Sequence, residues 1–282
     1  MAVDIQIGDK SLMMIFLLEE CNLNCPHCSR EDEPMEPGYR LTFDQLQRCL
    51  ADCRKLESVR WVHFSGGEPT LWTEGNRALV DLLLRIAAAG YTPGFTSNGT
   101  LFTDYDKCRR FFQRYVGDTS LPLKVYFSID TFHRNFDRNT GRAQCLDNVL
   151  NFKRELPSAQ AGQLDIRAMA VISKNPKSLL PEEMIRHYES QGIAFGFVPL
   201  HKMGKAKSFG HLCPDLESDD AEALGAYARY FRPENRKPRS TQPDRLRTDH
   251  IILIGNGYWF SDPWTKVGKL GRLRDEVVQA YS

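Results

Sequence analysis

Long apolar runs are missing from this chain. The strongest one near the N-terminus, Leu12 to Leu18, is far shorter than the roughly 20 residues a membrane-spanning helix requires. Asp4 and Asp9 interrupt the region where a secretion leader needs an apolar core, which points to a cytoplasmic protein. An excess of charge of one sign is missing too. The formal net charge is +1, so nothing global argues for a nucleic-acid or anionic-membrane partner. Repeated CxxC pairs are absent, and five of the 8 cysteines (Cys49, Cys53, Cys108, Cys145 and Cys213) stand singly. That scatter excludes a disulfide framework of the small secreted kind and reads as reduced thiols.

Present instead is one dense cluster, Cys21-Asn22-Leu23-Asn24-Cys25-Pro26-His27-Cys28, directly after the apolar run. Three thiolates on one short loop make a soft-metal site. Zinc is the rival, but a closed zinc site needs four ligands, usually from two paired clusters, and here only His27 is at hand. An iron–sulfur cube has four irons, so three cysteines leave one iron open to a substrate or cofactor. The CxxxCxxC spacing resembles the signature of the radical SAM superfamily. The resemblance implies that Cys21, Cys25 and Cys28 hold one site-differentiated 4Fe–4S cluster whose open iron binds S-adenosylmethionine (SAM).

Short apolar runs then alternate with amphipathic stretches. Strands are predicted at Leu12–Leu18, Trp61–Phe64, Thr92–Ser97, Lys124–Ile129, Ile166–Ile172 and Ala194–Pro199. Helices are predicted near Phe43–Lys55, Thr73–Ala89, Tyr105–Tyr115, Ala143–Leu156 and Pro181–Gln191, with Gly90 and Gly192 as left-handed caps. Such alternation implies an α/β fold with a parallel sheet and right-handed crossovers. The family resemblance makes it a partial (β/α)6 radical SAM barrel over residues 11–206, with its chemistry at the C-terminal ends of the strands.

Further motifs fall at those ends. Ser65-Gly66-Gly67-Glu68-Pro69 follows the second strand, and its glycines permit close backbone approach. It resembles the family's GGE motif, which implies that Gly66, Gly67 and Glu68 meet the amino group of SAM. By the same resemblance Asn98, Ser128 and Asp130 meet the cofactor's ribose or methionyl part, or the substrate above it. His27 takes a position the family commonly fills with an aromatic residue near the adenine. Arg167, a charge inside a barrel strand, needs a partner: a SAM carboxylate, a core acid such as Asp130, or an outward position. His133, just beyond the fourth strand, is either a proton shuttle or substrate donor, or a solvated loop histidine.

After Ala206 the alternation stops. A helix is predicted at Leu216–Phe231, then a basic segment from Arg232 to Arg247, a β-hairpin from His250–Ile254 through an Asn-Gly turn to Tyr258–Phe260, and a closing helix at Leu273–Tyr281. The basic segment is either a solvated loop or a receptor for an anionic substrate group. This order resembles the SPASM or twitch extension of some radical SAM enzymes, giving a small α+β C-terminal cap over 207–282. The stretch Phe260-Ser261-Asp262-Pro263-Trp264 lacks the family's cysteines, and the only thiol left is Cys213. One thiolate cannot hold an auxiliary cluster, so a cluster-free cap is expected. Cys213 is then either an inert loop thiol or a hydrogen-atom donor to a substrate radical.

The resemblance implies an enzyme that reductively cleaves SAM to a 5′-deoxyadenosyl radical. That radical abstracts a hydrogen from a peptide or small natural-product substrate, giving epimerisation, dehydrogenation or crosslinking. Its electrons come from a donor such as flavodoxin or ferredoxin, and neither nucleic acid nor membrane is expected as a partner. A methyl or methylthio transferase and a non-catalytic iron–sulfur carrier or sensor are the alternatives.

Overall fold

The computed structural model describes residues 12–28, 38–54, 59–200, 204–213, 250–253, 258–260 and 269–272. Its main strands are β1 (Leu12–Phe16), β2 (Trp61–Ser65), β5 (Thr92–Ser97), β6 (Leu123–Ser128), β7 (Leu164–Ile172) and β8 (Ala194–Pro199). Between them run α1 (Phe43–Cys53), α2 (Leu79–Ala88), α3 (Tyr105–Asp118), α4 (Gln144–Glu155), the short α5 (Ser158–Gly162) and α6 (Glu182–Glu189). Neighbouring main strands pair in parallel in the order β1-β2-β5-β6-β7-β8, as βαβ crossovers require. The sheet stays open: β8 is its outer strand and closes on nothing among the described residues.

Alternation along each strand explains which face carries the core. Met13, Ile15, Val62, Phe64, Phe95, Val125, Phe127, Ile166 and Ala168 are all buried and face the helices. Behind β5 and β6 this core is aromatic. Phe102 lies 5.2 Å from Phe111, 5.2 Å from Phe112 and 5.3 Å from Phe127, centroid to centroid. Each such ring buried adds roughly 1.5–3 kcal/mol. The opposite face carries Trp61, His63, Lys124, Tyr126, Asp165 and Arg167, which line the concave side.

Local chemistry sets the helix ends. At the start of α1, Gln45 N donates to Thr42 Oγ1 (3.2 Å) and Thr42 N to Gln45 Oε1 (2.8 Å), a reciprocal capping box. Gly90 and Gly192 take φ of +89° and +84°, as their predicted caps demand. The helix predicted from Thr73 begins only at Leu79. Glu74-Gly75-Asn76-Arg77 instead turns through Gly75, at φ +58°, joining β3 (Thr73–Glu74) to β4 (Arg77–Ala78). A left-handed glycine at that point stops a helix more firmly than the flanking polar residues favour one.

Beyond the barrel, β9 (His250–Leu253) and β10 (Tyr258–Phe260) form the predicted antiparallel pair, and β11 (Lys269–Arg272) pairs with β10. These strands continue the barrel's own sheet. β9 lies parallel to β1, with Leu12 opposite His250 and Ile15 opposite Leu253. The Asn-Gly turn, the Leu216–Phe231 helix, the basic segment 232–247 and the closing helix lie outside the described residues. No helix among the described residues is long and apolar enough to cross a membrane.

Candidate active site

The cysteine loop is pinned where it leaves β1. Leu17 N donates to Ser65 O (2.8 Å), Gly67 N to Leu18 O (2.8 Å) and Glu68 N to Glu20 O (2.8 Å). The two glycines make this possible. Gly66 sits at φ +125°, and a Cβ on Gly67 would fall 1.8 Å from the Glu20 carbonyl oxygen. Both glycines thus let the loop after β2 pack directly on the chain's own backbone at the entrance to the cysteine loop.

Glu68 is 1 % exposed and turned into the protein. Its Oε1 accepts from Thr70 N (3.1 Å), Thr70 Oγ1 (2.7 Å) and Ser97 Oγ (2.8 Å), while Oε2 accepts from Asn98 N (2.7 Å). Burial pushes its carboxyl up, and these donors hold it back. The carboxylate thus ties the loop after β2 to the end of β5. Ser97 and Thr70, which nothing in the sequence singled out as partners, supply most of its bonds.

Asn98 carries the tie on to the cysteines. Its Nδ2 donates to Asn22 Oδ1 (2.8 Å) and lies 4.0 Å from Cys21 Sγ. Its main-chain oxygen accepts from Asn135 Nδ2 (2.9 Å), which also donates to Ser128 O. Asn135 therefore staples the ends of β5 and β6. A lone loop asparagine offers no sequence signal for that role.

Beyond β6, Asp130 is 1 % exposed and organises the next loop. Oδ1 accepts from Phe132 N (2.9 Å), His133 N (2.9 Å) and the His133 ring at Nδ1 (2.8 Å), and Oδ2 accepts from Val171 N (3.2 Å). Burial alone would raise the Asp130 carboxyl, but His133 and His27 hold it below the usual range. Burial likewise opposes the His133 cation, yet hydrogen bonds to Asp130 and Cys25 lift it to about 10. The alternative of a solvated loop histidine is set aside, because the ring is anchored at the strand end. His27 packs 4.7 Å from Phe132 and 4.8 Å from His133, and burial lowers it to about 4. The ligand-type atoms of Cys25, His27 and His133 lie within 4.8 Å of one another.

Of the partners open to Arg167, the structure shows an acid, Asp165. Its side chain is 46 % exposed low on β7 and pairs with Asp165 at 3.1 Å, with the guanidinium 5.8 Å from the Tyr126 ring centre. Register explains this: Arg167 stands opposite Tyr126, two positions before Ser128 and therefore below the strand ends. Cys213 ends the 3₁₀ segment Gly204–Leu212, which returns to the mouth: Lys205 N donates to Cys28 O (3.0 Å) and Lys174 N to Leu212 O (2.8 Å).

The three thiols are close enough that Cys25 and Cys28, after burial, the Leu23 amide and Glu68, all act on Cys21, whose thiol is raised overall. Cys49, Cys108 and Cys145 are buried within α1, α3 and α4. Three thiols on a loop pinned across the strand ends fit a 4Fe–4S cluster with one iron left for SAM.

An open parallel (β/α)6 sheet with a three-cysteine loop at its C-terminal edge defines a class. The model of the radical SAM superfamily matches residues 15–160, and the chain belongs to that superfamily. The PqqA peptide cyclase of Bradyrhizobium diazoefficiens is 31% identical over 91 residues, 32% of this chain and 23% of the cyclase. Matched segments cover only 29%, 23% and 22% of three such curated relatives, so the chain spans under a third of their length there. In fold it is similar to Streptococcus suis SuiB bound to precursor peptide SuiA, with TM-score 0.64, 13% identity, 97% of this chain and 65% of SuiB. It is also similar to native anSMEcpe with bound AdoMet and Cp18Cys peptide, with TM-score 0.58, 15% identity, 96% of this chain and 80% of that one.

Proposed function

We propose that this chain is a radical SAM enzyme acting on a peptide. The observation that carries the reading is the three-thiol loop, locked by Gly67, Glu68 and Asn98 to the strand ends. Cys21, Cys25 and Cys28 would hold the cluster. When bound, it supplies the electron that cleaves SAM to methionine and a 5′-deoxyadenosyl radical, which takes a hydrogen atom from the substrate. The chain's own part is positional: the strand-end loops orient the bound groups, and the segment Gly204–Leu212 closes back over the cysteine loop. A peptide is preferred because three curated relatives are PqqA peptide cyclases and the two solved structures described above carry peptides.

Because Cys213 is the only cysteine after residue 206, reconstituted protein should carry about four irons per chain. Cys213 returns a hydrogen atom to the substrate radical, and an electron from the external donor with a proton from solvent restores the thiol from the thiyl left behind. The test is 5′-deoxyadenosine formation after anaerobic reconstitution with SAM and a strong reductant. Activity in wild type and none in the Cys21/Cys25/Cys28 triple alanine variant supports the reading; a cluster-loaded wild type that neither cleaves nor binds SAM overturns it. With substrate in hand, Cys213→Ala should keep SAM cleavage and change the product.

A further inference from the structure

On the face of the sheet opposite the core, register sets charged and aromatic side chains side by side. Lys124 on β6 stands opposite Asp165 on β7, and Tyr126 stands opposite Arg167. Opposite charges facing each other across two strands ordinarily pair. Here they do not. Asp165 engages both carboxylate oxygens on its own strand, Oδ1 accepting from Arg167 Nε and Oδ2 from Arg167 Nη2, each at 3.1 Å. A bidentate guanidinium takes a carboxylate from an ammonium. Lys124 is left over: its Nζ lies 4.3 Å from the Trp61 ring centre and meets no acid among the described residues.

The Tyr126 hydroxyl is left over as well. Tyr126 is half-buried on the same face, two positions along β6, and its Oη meets no hydrogen-bond partner among the described residues. Burial pushes this hydroxyl up, so it stays protonated and able to donate. Gly94 makes the floor, opposite His63 on one side and Lys124 on the other. A Cβ there would fall 2.6 Å from Trp61 Nε1 and 2.7 Å from His63 Nδ1, so only glycine lets the two rings lie against the sheet. The Trp61 ring then stacks 6.0 Å from Tyr126 and turns its face to Lys124. Two cations against one carboxylate leave this face positive, and the two unused groups are both donors. A ligand with two acceptor oxygens and a negative charge satisfies both.

We propose that Lys124 and Tyr126 form a subsite for a carboxylate of the peptide substrate, from an acidic side chain or from the C-terminus. The substrate role rests on the peptide reading above, while the carboxylate site rests on the geometry of this face. Lys124 stands four positions before Ser128 and Tyr126 two. The subsite therefore lies roughly 7–13 Å below the strand ends, a distance that about two to four residues of extended peptide span.

The test is NMR of the reconstituted full chain carrying isotope-labelled tryptophan, with the Trp61 indole signal assigned from Trp61→Phe. Three probes are titrated. N-acetylglutamate N-methylamide carries a side-chain carboxylate, N-acetylalanine a terminal one, and N-acetylglutamine N-methylamide neither. A saturable shift of the Trp61 signal with a carboxylate probe, and none with the glutamine probe, supports the subsite. The tighter of the two carboxylate probes tells an acidic side chain from a C-terminus. Lys124→Met should weaken that binding roughly tenfold or more, Tyr126→Phe should weaken it less, and Lys124→Arg should retain most of it. No saturable shift with any probe, an equal shift with the glutamine probe, or equal affinities in Lys124→Met and Lys124→Arg overturns the inference. SAM cleavage is measured on the same samples. A chain that cleaves SAM but binds no carboxylate loses this inference and keeps the enzyme reading; one that binds the carboxylate but neither cleaves nor binds SAM loses the enzyme reading and the substrate role claimed for the subsite.

Discussion

Two regions of this molecule are equally buried and held by opposite means. Behind β5 and β6, the rings of Phe95, Phe102, Phe112 and Phe127 are fully enclosed and make no hydrogen bond; contact and exclusion of water hold them. At the strand ends a few residues away, Glu68 and Asp130 are as deeply enclosed, and between them they accept eight hydrogen bonds. A buried apolar group tolerates any neighbour of the right shape, while a buried carboxylate tolerates only donors in the right places. Tolerance to substitution should therefore differ between the two even where burial does not.

The largest effect belongs to the aromatic core. Phe102→Ala leaves a cavity among the rings of Phe95, Phe111, Phe112 and Phe127 and should lower unfolding free energy by about 3–5 kcal/mol, read by urea denaturation. Iron bound per folded molecule should stay at the wild-type level, because the substitution keeps the main-chain bond from Phe102 N to Gly99 O and the ring makes no hydrogen bond to the strand ends. Glu68→Gln reverses that balance. The change keeps shape but sets an NH2 group against donors, costing about 1–3 kcal/mol. Because Asn98 and the cysteine loop hang on this carboxylate, iron retention should fall well beyond what the stability loss explains. If Phe102→Ala loses iron as readily as Glu68→Gln at matched stability, the distinction between the two regions fails.

An effect confined to acid pH lies on the face of the sheet opposite the core. His63 is 3 % exposed, with Nε2 2.8 Å from Thr96 Oγ1, and burial with the nearby Lys124 cation lowers it to about 3. Trp61 and Tyr126 pack their rings on it. The unfolded chain takes up this proton near the ordinary histidine value, and the folded chain resists until about 3. Stability is therefore fully present above that ordinary value and falls as pH drops toward 3, by at most about 1.4 kcal/mol per pH unit. His63→Phe should flatten this share of the acid slope in unfolding experiments between pH 6.5 and 4. An unchanged slope would show that the ring is not held neutral.

How legible these features were depends on the range of the interaction. Six strands, the left-handed caps at Gly90 and Gly192, and the cysteine loop all follow from residues close in sequence: apolar alternation, glycine conformation, thiol spacing. Leu164–Ile172 shows its two faces in composition alone. The helix predicted from Thr73 starts only at Leu79, because the turn through Gly75 breaks a pattern that is otherwise amphipathic. Which of its possible partners Arg167 takes could not be read locally, because only the register of β7 against β6 places it.

The sequence by itself determined the metal-binding loop, the α/β alternation and the absence of a fourth thiol beside the other three, since each is carried by covalent neighbours. Only the tertiary structure decided what surrounds that loop. Glu68 faces Ser97 across two strands, Asn98 faces Asn22 across 76 positions, and Asp130 reaches Val171 across 41. Hydrogen bonds act over about 3 Å and carry no periodic trace along the chain, so such partners become visible only when the sheet brings the strand ends together.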